Sequence, residues 1–162
     1  MRKVRILLLA LAFLAAGLSQ GFISYAKGEA TEIYAGSGEA WYRDGTGPEA
    51  AFNQPYGLAV DSSGSIIVVD TYNNAVRRIT DGKVVTITGY SDSTDSYGDA
   101  MGGFADGNVH VARFNRPRYA AVNSKGEIYV SDTGNHVIRV ISGENVYTFA
   151  GSGKAGYADG EA

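Results

Sequence analysis

Gly64-Ser-Ile-Ile-Val-Val-Asp-Thr-Tyr-Asn-Asn-Ala-Val-Arg-Arg-Ile79 returns sixty-two positions later as Gly126-Glu-Ile-Tyr-Val-Ser-Asp-Thr-Gly-Asn-His-Val-Ile-Arg-Val-Ile141. Gly64, Ile66, Val68, Asp70, Thr71, Asn73, Arg77 and Ile79 meet their own residue types at 126, 128, 130, 132, 133, 135, 139 and 141. The match continues upstream, where Phe52-Asn-Gln-Pro55 faces Phe114-Asn-Arg-Pro117. Self-similarity of this kind marks a repeat architecture, in which one supersecondary unit buries its apolar face only against a neighbour.

Within each copy the apolar runs are short and separated by Gly-, Asp- and Asn-rich turns. In the first copy, strands are expected at Gly57–Val60, Ile66–Val69, Ala75–Ile79 and Val84–Thr88. In the second they are expected at Tyr119–Val122, Ile128–Ser131, Val137–Ile141 and Val146–Ala150. Turn signals every eight to twelve residues indicate an all-β chain, and four strands per repeat of this length indicate β-propeller blades. A parallel β-helix has shorter repeats and fewer hairpin-like turns. The 22 glycines, spread through the repeats, serve as turn punctuation.

Outside the two copies the chain divides further. Arg2, Lys3 and Arg5 precede an unbroken apolar or Gly run from Ile6 to Leu18, and small residues follow at Ser24 and Ala26. This is the layout of a secretory signal peptide at 1–26, cut after Ala26. An uncleaved anchor is the competing expectation, but the run falls short of the ~20 residues of a spanning helix. Residues 27–51 are expected to hold an orphan strand at Ile33–Ala35 and a loop. The first blade covers 52–89, an inter-blade loop 90–113, the second blade 114–151, and a truncated third repeat begins in 152–162. Asp44-Gly45, Asp106-Gly107 and Asp159-Gly160 read as repeated turns. The first interval between them is nine residues longer than the second, which locates an insertion at Ser91–Asp99.

Charge and composition exclude several classes. Without residues 1–26 the chain holds 11 basic and 17 acidic residues, a net charge of −6. An acidic exported chain without a Lys/Arg cluster is unsuited to a nucleic-acid backbone. There is no cysteine, so disulfides, thiol catalysis and cysteine metal sites are excluded. No other apolar run suggests a membrane segment after cleavage. Neither a nucleophile elbow nor a phosphate loop is present, and Gly36-Ser-Gly38 and Gly151-Ser-Gly153 are turns because no helix follows them.

The repeat resembles the NHL repeat. The first copy carries that pattern in Phe52, Pro55, Gly57, Leu58, Ala59, Val60, Asp61, Gly64, Asp70, Thr71, Asn73, Val76 and Arg77. The second carries it in Phe114, Pro117, Ala121, Val122, Gly126, Ile128, Tyr129, Val130, Asp132, Thr133, Asn135, His136, Ile138 and Arg139. It departs at Tyr119, Ala120, Asn123 and Ser131, the first two of them on the second blade's first strand. The resemblance implies a β-propeller, commonly six-bladed. At about 53 residues per blade a closed ring needs over 200 residues, against the 136 left after residue 26. The chain is therefore expected to be the N-terminal piece of a larger ring, its orphan strand completing a blade further on; self-association of two-blade chains is the alternative.

Two sets of residues could carry chemistry. Asp70, Asn73 and Arg77 recur as Asp132, Asn135 and Arg139. A catalytic site on a pseudo-symmetric scaffold should occur once, so the recurring set reads as structural, each Asp capping turn amides and meeting the Arg guanidinium. His110 and His136 lack the converging partners that zinc requires. No catalytic residue, metal ligand or cofactor is expected. The second set, Trp41, Tyr42, Tyr90, Asp92, Asp95, Tyr97 and Asp99, lies in the inter-blade loops and suits recognition of a protein, peptide or glycan. The carboxylate spacing is not that of a calcium-binding helix–loop–helix. Some NHL-like propellers are lyases with metal-bound histidines, so a fragment of a metal-dependent lyase or hydrolase is the alternative to a non-catalytic scaffold.

Overall fold

The computed structural model describes residues 33–89, 91, 93–157 and 159–160. The expected signal peptide, Tyr90 and Asp92 lie outside the described residues. The rest is nearly all β. Two antiparallel sheets of five strands each account for the two copies. The first runs β1 (Gly45–Thr46), β5 (Lys83–Thr88), β4 (Ala75–Thr80), β3 (Ile66–Asp70), β2 (Pro55–Val60). The second repeats that order with β6 (Gly107–Asn108), β10 (Asn145–Ala150), β9 (Val137–Ser142), β8 (Ile128–Asp132) and β7 (Ala120–Val122). The eight strands expected from the sequence all form, with ends within two residues of those expected.

Each sheet gains a fifth strand that the sequence pattern hid. Gly45 pairs with Val84 and Thr46 with Lys83, and Gly107 and Asn108 pair likewise with Val146 and Asn145. The Asp-Gly dipeptides are thus not plain turns: each glycine opens a two-residue strand on the sheet's outer edge. Ile33–Ala35 forms no strand ladder with the other described residues. That stretch is instead tied to the loop after β1, where Gly36 N donates to Gly47 O and Ser37 N to Ala50 O, both at 2.7 Å.

Local chemistry explains the hairpins. Between β2 and β3, Asp61 Oδ1 accepts the N–H groups of Ser63 (2.9 Å) and Ser65 (3.0 Å). Asn123 holds the corresponding position in the second copy, and its amide oxygen accepts from Lys125 (2.9 Å) and Glu127 (3.0 Å). A carboxylate and an amide oxygen serve this turn equally. The other departures in that region coincide with a shorter strand, since β7 has three residues where β2 has six.

Two apolar clusters flank β3. Val68, Ile79 and Val84 pack with Phe52 and Ala50 on one side. On the other, Ile67 and Val76 join Phe114, Ile128, Val130, Ile141 and Val146 of the second copy. The sheets therefore share a core, which is why neither repeat is complete alone. Their approach is closest where β2 meets the entry to β7: a Cβ at Gly57 would overlap the Arg118 carbonyl and the Tyr119 Cα. Thr71 Oγ1 also donates across the junction to Pro117 O (2.7 Å), and Arg116 N donates to Asn74 Oδ1 (2.6 Å). Gly57→Ala should accordingly cost about 1–3 kcal/mol by overpacking. Tyr119→Ala, at a side chain 62% exposed, should stay within about 0.5 kcal/mol of wild type. Urea unfolding of the two variants measures both.

Candidate functional site

The repeated polar set assembles where β3 turns into β4. Asp70 ends β3, Thr71–Asn73 forms one 3-10 turn, and Asn74 takes a left-handed conformation (φ 51°) that starts β4. The register then sets Arg77 opposite Val68. Asp70 Oδ2 accepts from Asn73 Nδ2 (2.8 Å) and Arg77 Nη1 (2.7 Å), while Oδ1 accepts from Asn53 N (2.8 Å). No side-chain bond caps the 3-10 turn itself. The amide that Asp70 holds belongs instead to the Phe52–Pro55 segment, 17 residues earlier.

A second carboxylate, unforeseen from the sequence, completes the clamp on each arginine. Asp44 Oδ1 accepts from Arg77 Nη2 (2.6 Å) and Nε (3.2 Å), and its Oδ2 accepts from Thr86 N (3.0 Å). Asp44 therefore joins the guanidinium to β5 and pins β1 at the sheet edge. The aromatic rings of Tyr42 and Phe52 lie 4.7 and 5.0 Å from the guanidinium carbon. The second copy reproduces each part: Arg139 meets Asp132 (3.0 Å) and Asp106, with Phe104 and Phe114 both at 4.9 Å. It differs in one donor, since Arg139 Nε is buried with no hydrogen-bond partner among the described residues, where Arg77 Nε has Asp44. The signal for Asp44 and Asp106 was their shared spacing, which turn chemistry alone explained adequately.

Both arginines are fully buried, as are Asp70 and Asp132. Burial raises the Asp70 carboxyl to about 6 against the lowering effect of Arg77, Asn73 and the Asn53 amide. Burial likewise raises Asp132. Every partner of these carboxylates is a structural group of the same blade, and the arrangement occurs twice. It cross-links β3, β4, β5 and the segment before β1. His136 takes the left-handed position after the second 3-10 turn (φ 56°) and is exposed, as is His110. Among the described residues no three His, Cys, Asp or Glu side chains are grouped to hold a metal ion.

The loop residues behave differently. Trp41, Tyr42, Tyr97 and Asp99 line one cleft of about 510 Å³ between the segment before β1 and the insertion. Its wall includes Asn53, whose side-chain amide donates to Asp99 Oδ1 (2.8 Å) and so docks the insertion onto the blade. Asp95 lines the neighbouring depression and shapes the loop, its Oδ1 accepting from Tyr97 N (2.8 Å) and Asp99 N (3.1 Å). Tyr42 is also spoken for: its ring lies against Arg77 and its hydroxyl bonds Thr86 Oγ1 at 2.7 Å. Trp41, 61% exposed, and Tyr97, 87% exposed, offer their rings to solvent.

The NHL repeat family model matches residues 52–79 and 114–141, the two segments that build β3, β4, β8, β9 and their clamps. These are NHL repeats. The chain is 31% identical over 100 residues to the Arabidopsis thaliana protein Suppressor of quenching 1, chloroplastic, covering 60% of this chain and 9% of that protein. It is 29% identical over 100 residues to human NHL repeat-containing protein 2, covering 60% of this chain and 13% of the relative. It therefore spans a small part of the curated relatives it matches. Among solved structures, a Bacteroides thetaiotaomicron protein of unknown function superposes with a TM-score of 0.56 at 27% identity, over 72% of this chain and 27% of the other. An auxiliary nutrient binding protein from the same organism superposes at 0.54 and 22% identity, over 72% and 28%. The two NHL sheets are β-propeller blades.

Two outcomes test the clamp. Asp132→Ala strands a buried guanidinium and should cost about 3–5 kcal/mol, while Asp106→Ala, at a half-exposed partner, should cost about 1–2 kcal/mol; equilibrium unfolding measures both. The second concerns pH. An unfolded aspartate titrates near ~3.9 and folded Asp70 at about 6, so the folded state holds this proton more tightly. The residue's contribution to stability is then largest below pH ~4 and declines as pH rises through ~6. The stability gap between wild type and Asp70→Asn, followed by urea melts across that range, should narrow as pH rises.

Proposed function

We propose that this chain is an exported part of a six-bladed NHL propeller that serves as a binding scaffold for a protein, peptide or glycan and performs no chemistry of its own. The observation that carries this reading is the cleft at Trp41 and Tyr97. Its wall shares Asn53 and Asn73 with the repeat, but Trp41 and the insertion that carries Tyr97 do not recur, and such exceptions are where a scaffold of like units acquires a specific site. The recurring Asp70, Asn73 and Arg77 set of the first blade bonds within its own blade, which supports a structural part for it.

Further blades are supported by the second sheet's outer face. Thr71, Asn74 and Val76 are buried beneath the second sheet, whereas their counterparts Thr133, His136 and Ile138 are exposed. That face has the shape to receive another blade's Phe–Asn–x–Pro segment. Export rests on the basic start, the apolar run and the small residues up to Ala26.

Affinity chromatography of an extracellular extract on the immobilised chain tests the scaffold. A component should be retained by wild type, released with its mass unchanged, and not retained by Trp41→Gly. Release of a cleaved or rearranged product would overturn the non-catalytic reading. The secreted protein should begin at Lys27 by intact mass.

A further inference from the structure

The two copies align in sequence at a spacing of sixty-two, which makes any exception to the repeat informative. Position 41 is one. Trp41 N donates to Phe52 O (3.4 Å) and Trp41 O accepts from Asn73 Nδ2 (3.0 Å). Gly103, its counterpart, makes the same two bonds with Phe114 O (2.9 Å) and Asn135 Nδ2 (2.8 Å). The backbone role is met without a side chain, and the third repeat again has glycine, Gly156. The indole therefore contributes nothing that the blade requires, yet 61% of the residue stands in solvent.

The insertion is the other departure. It folds back on itself, with Asp95 N bonded to Asp99 O at 2.8 Å, and carries Tyr97 at its tip. Asn53 anchors it through Asp99 (2.8 Å), whereas the equivalent Asn115 turns to Gly134 O at 3.5 Å. Two unrelated exceptions to the repeat thus converge on one cleft, whose volume lies within the range of ordinary ligand sites.

The lining narrows the ligand class. Asp99 is on the wall, and no Lys or Arg is among the described residues that line it, so an anion meets repulsion without compensation. A cation would need an aromatic cage, but one face of Tyr42 is already covered by the Arg77 guanidinium at 4.7 Å, which opposes a second positive charge there. What remains suits a neutral molecule with an apolar face and a polar rim. The rings of Trp41 and Tyr97 supply flat apolar surface, and Asp99, Ser91 and Thr94 supply hydrogen-bonding oxygens beside it.

We propose that this cleft binds a neutral saccharide, one sugar ring lying with its C–H face on Trp41 while Asp99, Ser91 and Thr94 bond its hydroxyls. The inference rests on the scaffold reading and specifies its ligand. Trp41 is the sole tryptophan of the chain, so intrinsic fluorescence reports this site alone. The full chain is titrated with cellohexaose, maltohexaose and chitohexaose, and separately with tetramethylammonium and an Arg-rich peptide. Saturable change of the Trp41 emission is expected with at least one oligosaccharide. By calorimetry, Trp41→Gly and Tyr97→Ala should each weaken that sugar roughly tenfold or more, with melting temperatures unchanged. No saturation with any of the three sugars, or undiminished affinity in both variants, would overturn the proposal. Saturation by the cationic probes alone would overturn it too, while leaving the scaffold itself standing.

Discussion

The structure depends on a guanidinium with nowhere else to go. Arg77 and Arg139 are fully buried, and a cation in that setting is costly unless most of its donors are matched and its faces covered. Each blade answers with two carboxylates, two carbonyl oxygens and two aromatic rings drawn from separate parts of the chain. Arg77 alone gathers Asp70 from β3, Asp44 from before β1, and the carbonyls of Ala51 and Arg43. One side chain thereby fixes the loop ahead of the blade, the end of β3 and the outer edge of the sheet. Such an arrangement specifies geometry more than it adds stability, since the desolvation cost offsets much of the ionic attraction.

Blade geometry then governs how blades meet. Because the clamp holds Asn53 and the turn at Thr71 together, the segments that touch the next sheet arrive already oriented. Thr71, Asn74 and Gly57 each face the Arg116–Tyr119 stretch of the second copy. Phe114 serves two roles at once, lying against Arg139 within its own blade and in the core shared with Ile67 and Val76 of the first. Internal clamp and inter-blade core are thus coupled through one ring. The segments between blades lie outside this clamp, and Trp41 and the insertion are found there.

Some of this was legible beforehand. The doubled segment and the eight strands follow from apolar periodicity and turn residues, which act over a few positions, and the NHL resemblance rests on the motif residues themselves. The partnership of Asp70 with Arg77 could be read too, because the two sit across a tight turn. Asp44 could not: it lies 33 residues from Arg77, and the Asp-Gly that contains it has a sufficient local explanation as a turn. The same masking hid β1 and β6, since two-residue strands carry no alternating pattern. Ile33–Ala35, by contrast, has β-forming residues but no ladder among the described residues, because propensity does not supply a partner.

By itself, then, the sequence determined the unit: its repeat length, its strands and the polar set at its turn, all consequences of interactions between near neighbours. Tertiary structure decided what the unit does with its exceptions. Only the closure of β1 on β5, and the docking of the insertion by Asn53, bring Trp41 to face Tyr97. Such meetings depend on long-range pairing and packing, which leave no periodic trace in the order of residues.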